Sequence, residues 1–261
     1  MATTLTVTVV GCSGSFAGPH SPASCYLIEA EHDRTTTRVV LDLGNGALGA
    51  LQKYADPTDL DAILITHLHP DHFVDLCGLY VLRRYHPTTV PEDRQVVYAP
   101  KDLFRRLQLA YYGRAELEES AHFDHRRVTD GQAITVGPLR ILAHRVEHPI
   151  EAYGYRIESP AGIVAFTGDT DSTPSLAPLL TGADLVLADA AFVEGRDEVR
   201  GIHLTARRAA EAVIEAGGVT RFVLTHLPPW NDPEVSRAEA AELWPDVEVS
   251  SAGARYVLCA Q

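Results

Sequence analysis

Ile63-Leu64-Ile65-Thr66-His67-Leu68-His69-Pro70-Asp71-His72 is the stretch whose reading decides what this chain becomes. The short apolar run from Ala62 to Ile65 predicts a buried strand. Three histidines and an aspartate follow within six residues. Pro70 has no N–H and disfavours helix at His69, so the His-rich segment is expected to be a loop at a strand end. Imidazole and carboxylate together are donors for zinc and its neighbours. His67 and His69 alternate and can point to one side to grip one ion. Asp71 and His72 lie just beyond, placed to grip a second. A solvated polar loop would not need H-x-H-x-D-H directly after a buried strand.

Working outward, the chain has 261 residues, of which 46% are hydrophobic, enough for a sizeable core. We expect one domain spanning 1–261. A formal net charge of −13 argues against a broad nucleic-acid footprint. It leaves room for a small anionic substrate, because bound cations dominate their local field. Cys12, Cys25, Cys77 and Cys259 form no C-x-x-C pair and read as reduced, mostly packed thiols of a cytoplasmic protein. The N-terminus reads as an alternating strand rather than a targeting segment. No apolar run reaches the ~20 residues of a membrane span.

Leu5, Val7 and Val9 alternate with threonines and predict a first strand. A long Gly/Ser/Pro loop, Gly11 to Ser24, follows. It reads as punctuation, as a wall of the site, or as a cradle of N–H groups for an anion. Cys25–Glu29 and Arg38–Asp42 predict a hairpin, and a helix is expected over 47–54. Further helices are expected over 73–85, 101–112, 205–216 and 233–243. Strands are expected over 96–99, 133–136, 139–145, 153–158, 162–166, 185–188, 221–224 and 256–258. Gly113 to Arg127 is polar and undecided, and its His122 and His125 read as surface residues. Strands and helices in this order suggest two sheets covered by helices.

Strand ends carry the remaining candidates: His148, Asp169 and His226. In layered α/β folds, ligands gather where several strands end. Taken singly, His148 and Asp169 also read as turn residues and His226 as a core histidine. Taken together with the first motif, seven side chains suffice for two ions if Asp169 bridges, with water completing open sites.

These residues and their order resemble the metallo-β-lactamase superfamily over essentially the whole chain. The resemblance implies an α/β fold, a four-layer αββα sandwich. It implies that His67, His69 and His148 hold one metal, that Asp71, His72 and His226 hold the other, and that Asp169 bridges. Within the superfamily, Gly11-Cys12-Ser13-Gly14-Ser15 and Gly201-Ile202-His203-Leu204-Thr205 resemble the phosphodiesterase branch that includes tRNase Z. There the histidine matching His203 assists the phosphate or leaving group, and an acidic residue precedes it; Asp189 fills that position. Gly18-Pro19, Ser21-Pro22-Ala23-Ser24, Arg83-Arg84-Tyr85-His86-Pro87 and Leu224-Thr225-His226-Leu227-Pro228-Pro229-Trp230 look like the actinobacterial atypical class II cyclic-nucleotide phosphodiesterases.

The resemblance therefore implies a dinuclear hydrolase that opens 3′,5′-cyclic AMP to 5′-AMP by attack of a metal-bridging hydroxide on phosphorus. Asp71 and His203 would be its catalytic residues. Two divalent cations are implied, with Zn2+ the default and Mn2+ or Fe2+ accepted by the same donors. The expected partner is a small phosphodiester; a homodimer is an open option, and no membrane is expected. His148 and Asp169 are only 21 residues apart. That leaves no room for the helical arm with which tRNase Z holds tRNA, and the negative charge also disfavours tRNA. The alternatives are a tRNase Z-like 3′ nuclease, a lactonase-like hydrolase and a metal-sensing module. Tyr111, Tyr112, Phe192 and Trp230 could wall a base pocket, but each reads first as core; Arg83 and Arg84 read as a solvated helix face.

Overall fold

The computed structural model describes residues 4–87, 93–115 and 121–260. Its first sheet contains β1 (Thr4–Gly11), β2 (Cys25–His32), β3 (Thr35–Leu41), β4 (Ala62–Leu64), β5 (Gln95–Ala99) and β6 (Phe123–Arg127). The second contains β7 (Ala133–Val136), β8 (Leu139–Arg145), β9 (Tyr153–Ser159), β10 (Gly162–Phe166), β11 (Leu185–Asp189), β12 (Arg221–Thr225) and β13 (Glu248–Val249). The last strand, β14 (Arg255–Cys259), returns to the first sheet beside β1. The strand orders are β14-β1-β2-β3-β4-β5-β6 and β13-β12-β11-β10-β9-β8-β7.

Alternation along β1 buries Leu5, Val7 and Val9 in one cluster with Tyr26, Ile141, Ile157, Phe166 and Leu187, so the two sheets share a core. The outer face of the first sheet packs on α1 (Ala47–Leu51), α2 (Pro70–Phe73), α3 (Leu76–Tyr85) and α4 (Leu103–Tyr112). The outer face of the second packs on α5 (Leu176–Leu180), α6 (Ala206–Glu215) and α7 (Pro233–Ala241). This is the αββα sandwich expected from the sequence.

Strand directions bring the candidate residues to one edge. β1 is antiparallel to β2 and β2 to β3, while β3 and β4 are parallel, so β1, β3 and β4 end on the same side. In the second sheet β8, β10, β11 and β12 likewise run the same way. His67, His148, Asp169, Asp189 and His226 all lie at or just beyond the ends of these strands.

Three local expectations change. The hairpin strands are longer than read, because Asp33 and Arg34 both take left-handed conformations (φ 46° and 70°) and make the turn themselves. The His-rich segment is not all loop. His69 is extended (ψ 147°) and Pro70 opens the single-turn helix α2, which carries Asp71 and His72. Arg83 is not solvated: it is buried and donates to the Asp93 carbonyl. In the undecided polar segment, 123–127 is β6, while 116–120 lie outside the described residues.

Candidate metal centre

Each candidate is held by local structure. His67 follows β4, and its Nδ1 lies 3.1 Å from Thr66 Oγ1. His72 Nδ1–H donates to Asp42 Oδ2 at 2.7 Å, which turns Nε2 inward. His148 Nδ1–H donates to the Ile202 carbonyl at 2.9 Å, with the same result. These partners fix tautomer and ring orientation, as outer-shell groups do around metals. Asp42 itself is fully buried and accepts from the Thr66 amide at 2.7 Å and the Thr66 hydroxyl at 2.9 Å.

The inward nitrogens converge. His67 Nε2 and His148 Nε2 lie 3.0 Å and 3.1 Å from His69 Nδ1. His72 Nε2 and His226 Nε2 lie 3.2 Å apart, and His226 Nε2 lies 3.2 Å from Asp71 Oδ2. Asp169 Oδ2 approaches His67 Nε2 at 3.5 Å and His72 Nε2 at 3.3 Å, so it faces both groups. The donor atoms of His67, His69 and His148 lie within 4.8 Å of one another, as do those of Asp71, His72, Asp169 and His226. Neutral imidazoles meeting in this way turn lone pairs toward each other. A cation satisfies them together, where a hydrogen bond could satisfy only a pair. The donor set, three nitrogens in one group and mixed nitrogen and oxygen in the other, therefore fits two borderline divalent ions.

Electrostatics divides the two groups. Burial, reinforced by neighbouring imidazoles, lowers the pKa of His67, His69 and His148, leaving them neutral and able to ligate. At His72 burial works in the same direction, but Asp169, Asp42 and Asp71 outweigh it and hold the pKa well above its ordinary value. At His226 burial is again outweighed, by Asp169, Asp189 and Asp71, and the pKa rises to about 10. Burial opposes ionisation of Asp71 and Asp169, yet the imidazoles around them drive both below the usual carboxylate range. Without a cation, protons on His72 and His226 balance these carboxylates.

His203 stands beside this centre, its ring 5.5 Å from that of His148 and 5.3 Å from that of His226. Its Nδ1–H donates to Asp189 Oδ2 at 2.8 Å. Burial opposes the imidazolium, but Asp189 outweighs it and raises the pKa above 6.5. The preceding loop is clamped by buried Asp171, which accepts from the Arg200 guanidinium and the Gly201 amide, each at 2.7 Å, and pairs with Arg208.

All eight site residues singled out in the sequence thus gather at one place. Asp42 was read only as a strand end, since an aspartate beside Leu-Gly looks like any turn-former. The Gly11–Ser24 loop walls the centre, and several of its amides are already engaged: Ser13 donates to the Pro22 carbonyl and Gly18 to the Ser21 carbonyl within the loop, while Gly14 donates across to the Leu227 carbonyl at 3.0 Å. His122 and His125 belong to neither cluster: His122 packs on Tyr80, and His125 lies near the Ala99 carbonyl. Tyr111, Tyr112 and Trp230 are exposed and not core, while Phe192 packs against His203 at 5.1 Å.

The Lactamase_B_2 family, the beta-lactamase superfamily domain, matches residues 37–227. The chain belongs to this family and has the metallo-hydrolase fold. An uncharacterized protein of Mycobacterium leprae is 43% identical over 243 residues, 91% of this chain and 83% of its own length. Ribonuclease Z of Methanopyrus kandleri is 29% identical, with 83% and 86% covered. YhfI of Bacillus subtilis, a probable metallo-hydrolase, is 26% identical, with 95% and 97% covered. The crystal structure of YhfI superposes with a TM-score of 0.85 at 25% identity, covering 97% of this chain and 99% of that one.

Proposed function

We propose that the protein is a dinuclear metal-dependent phosphodiesterase acting on 3′,5′-cyclic nucleotides, cyclic AMP to 5′-AMP. The observation that carries the hydrolytic reading is the pair of adjoining donor clusters with Asp169 facing both, beside the His203–Asp189 pair. Similarity to a ribonuclease Z supports a phosphodiester as the bond attacked. The interval between His148 and Asp169 is filled by the β9–β10 hairpin. That and the net charge of −13 favour a small diester over tRNA.

His67, His69 and His148 would hold one cation, and Asp71, His72 and His226 the other, with Asp169 between them. Zn2+ is the default, and two such ions supply charge neutralisation at phosphorus and a water of lowered pKa. The chain's own part is then acid–base chemistry. Asp71, ionised and beside His226, orients the attacking oxygen by accepting a hydrogen bond from it. His203 keeps Nδ1–H on Asp189, which leaves Nε2 to donate to the departing 3′ oxygen. Asp189 raises its pKa, which favours the charged form that this step needs.

Incubating metal-loaded protein with 3′,5′-cyclic AMP and separating the nucleotides tests this. 5′-AMP that appears with wild type and is lost in Asp71→Ala is expected. Intact cyclic AMP with a simple diester still cleaved would discard the cyclic-nucleotide assignment. Cleavage of a tRNA precursor alone would favour a 3′ nuclease, and bound metal with no turnover a sensor.

A further inference from the structure

Phe16 and Trp230 stand together in water at the edge of the molecule that carries the metal centre. Their ring centroids are 5.3 Å apart at 43°, and the residues are 43% and 62% exposed. Single exposed apolar residues are ordinary on protein surfaces. Here two large rings from loops far apart in sequence are held against one another, and both loops reach the centre.

Backbone contacts tie both loops to the centre. Phe16 lies two residues beyond Gly14, and Gly14 packs so closely on His226 that an added Cβ would sit 2.1 Å from the His226 carbonyl oxygen. The Gly14 amide donates to the Leu227 carbonyl at 3.0 Å, and the Phe16 amide to the Gly14 carbonyl at 2.7 Å. Trp230 follows His226 by four residues, a separation that spans at most ~14 Å. It lies in a turn closed by the Asn231 amide on the Pro228 carbonyl at 2.9 Å. The Asn231 side chain then donates to the Ala191 carbonyl at 2.9 Å and accepts from Arg196, also at 2.9 Å. Ala191 adjoins Phe192, which touches His203. The backbones that carry the two rings are therefore tied to both the metal-type cluster and the proposed acid.

We propose that the Phe16–Trp230 pair is the stacking platform for the planar base of the substrate and selects nucleotide-type diesters over base-free ones. The proposal rests on the phosphodiesterase reading. Phe and Trp have only two side-chain torsions each, so their faces bind planar rings at a modest entropic cost. Any nucleobase offers such a face, so the platform sets a preference for bases in general more than for one base.

The test compares 3′,5′-cyclic AMP with base-free ribose 3′,5′-cyclic phosphate in metal-loaded wild type, Trp230→Leu and Phe16→Leu. Loss of one stacking partner corresponds to roughly a 5- to 150-fold effect. KM for cyclic AMP should rise within that range while KM for the base-free diester stays within about twofold. An unchanged KM for cyclic AMP, or equal losses on both substrates, would overturn the proposal. A second readout needs no variant and no turnover. Trp230 is one of two tryptophans, so 5′-AMP should quench the wild-type fluorescence and ribose 5-phosphate should not. If neither diester is hydrolysed but 5′-AMP quenches selectively, the phosphodiesterase reading falls and the platform stands. If cyclic AMP is hydrolysed with no selective quenching, the reverse holds. A Trp230→Leu change that alters sedimentation and leaves KM untouched would assign the rings to a contact between copies.

Discussion

Asp42 shows how much of this centre is decided one step away from the donors. Its fully buried carboxylate accepts a hydrogen bond from His72 Nδ1–H at 2.7 Å and two from Thr66. Burial pushes its pKa up, and His72 and Thr66 offset this only in part. It also occupies a left-handed conformation, φ 59°, as His226 does at φ 60°. Strain of this kind persists where the surroundings over-determine it. Asp42→Asn should weaken metal binding about 10- to 100-fold, measured by competition with a chromophoric chelator. Unchanged affinity would mean His72 needs no such support. Asp189 acts on His203 through charge. Because Asp189 raises the His203 pKa, the imidazolium outlasts pH 6.5 and activity falls only as pH rises through the raised value. Asp189→Asn should therefore move the alkaline limb of the kcat–pH profile to lower pH; an unmoved limb would exclude His203 as the acid. His67, His69, Asp71 and His72 were legible because four donor residues lie in six positions. Asp42 was not, because its role lies in a contact with a residue 30 positions away.

At the scale of elements, two close backbone approaches hold the centre's walls. A Cβ on Gly44 would lie 1.9 Å from the Asp71 carbonyl oxygen, which locks α2 against the end of β3. Gly14 does the same for the loop that follows β12. Gly14→Ala must part the two loops, at a cost of about 1–3 kcal/mol. We expect a lower melting temperature and weaker binding of the ion that Asp71, His72 and His226 would hold, read by thermal denaturation and metal analysis. Gly49 in α1 has nothing within 4 Å of an added Cβ, so Gly49→Ala should be neutral or stabilising by up to ~1 kcal/mol. If both variants behaved alike, the loop contact would carry no special weight. The sequence reading found the long strands and helices because their apolar periods are regular. It missed α2, where Pro70 signals both the end of extended chain and the first residue of a helix. It also missed α5 and β13, which are too short to show a period.

Across the whole molecule, two sheets that end at one edge bring seven dispersed donors into one centre, and cations bound there would become part of the fold. In metal-free protein the pKa of His72 and His226 is raised above the unfolded value. That stabilisation is fully present below pH 6.5 and is lost as pH rises toward about 10, the pKa of His226. Cations replace those protons and bind better as pH rises. The difference in melting temperature between loaded and stripped protein should therefore widen from pH 6.5 to pH 9.5. A constant or narrowing difference would contradict the charge balance derived for the centre. No helix among the described residues is long and apolar enough to cross a membrane. The fold class was legible because only a few layered arrangements cover two sheets with helices. The sheet order was not, since β14 joins β1 from the far end of the chain. The most direct test of the central claim is to titrate stripped protein with Zn2+ while following cyclic AMP hydrolysis. The account predicts activity that climbs to a plateau at two equivalents per chain. Full activity at one equivalent, or with none, would contradict it.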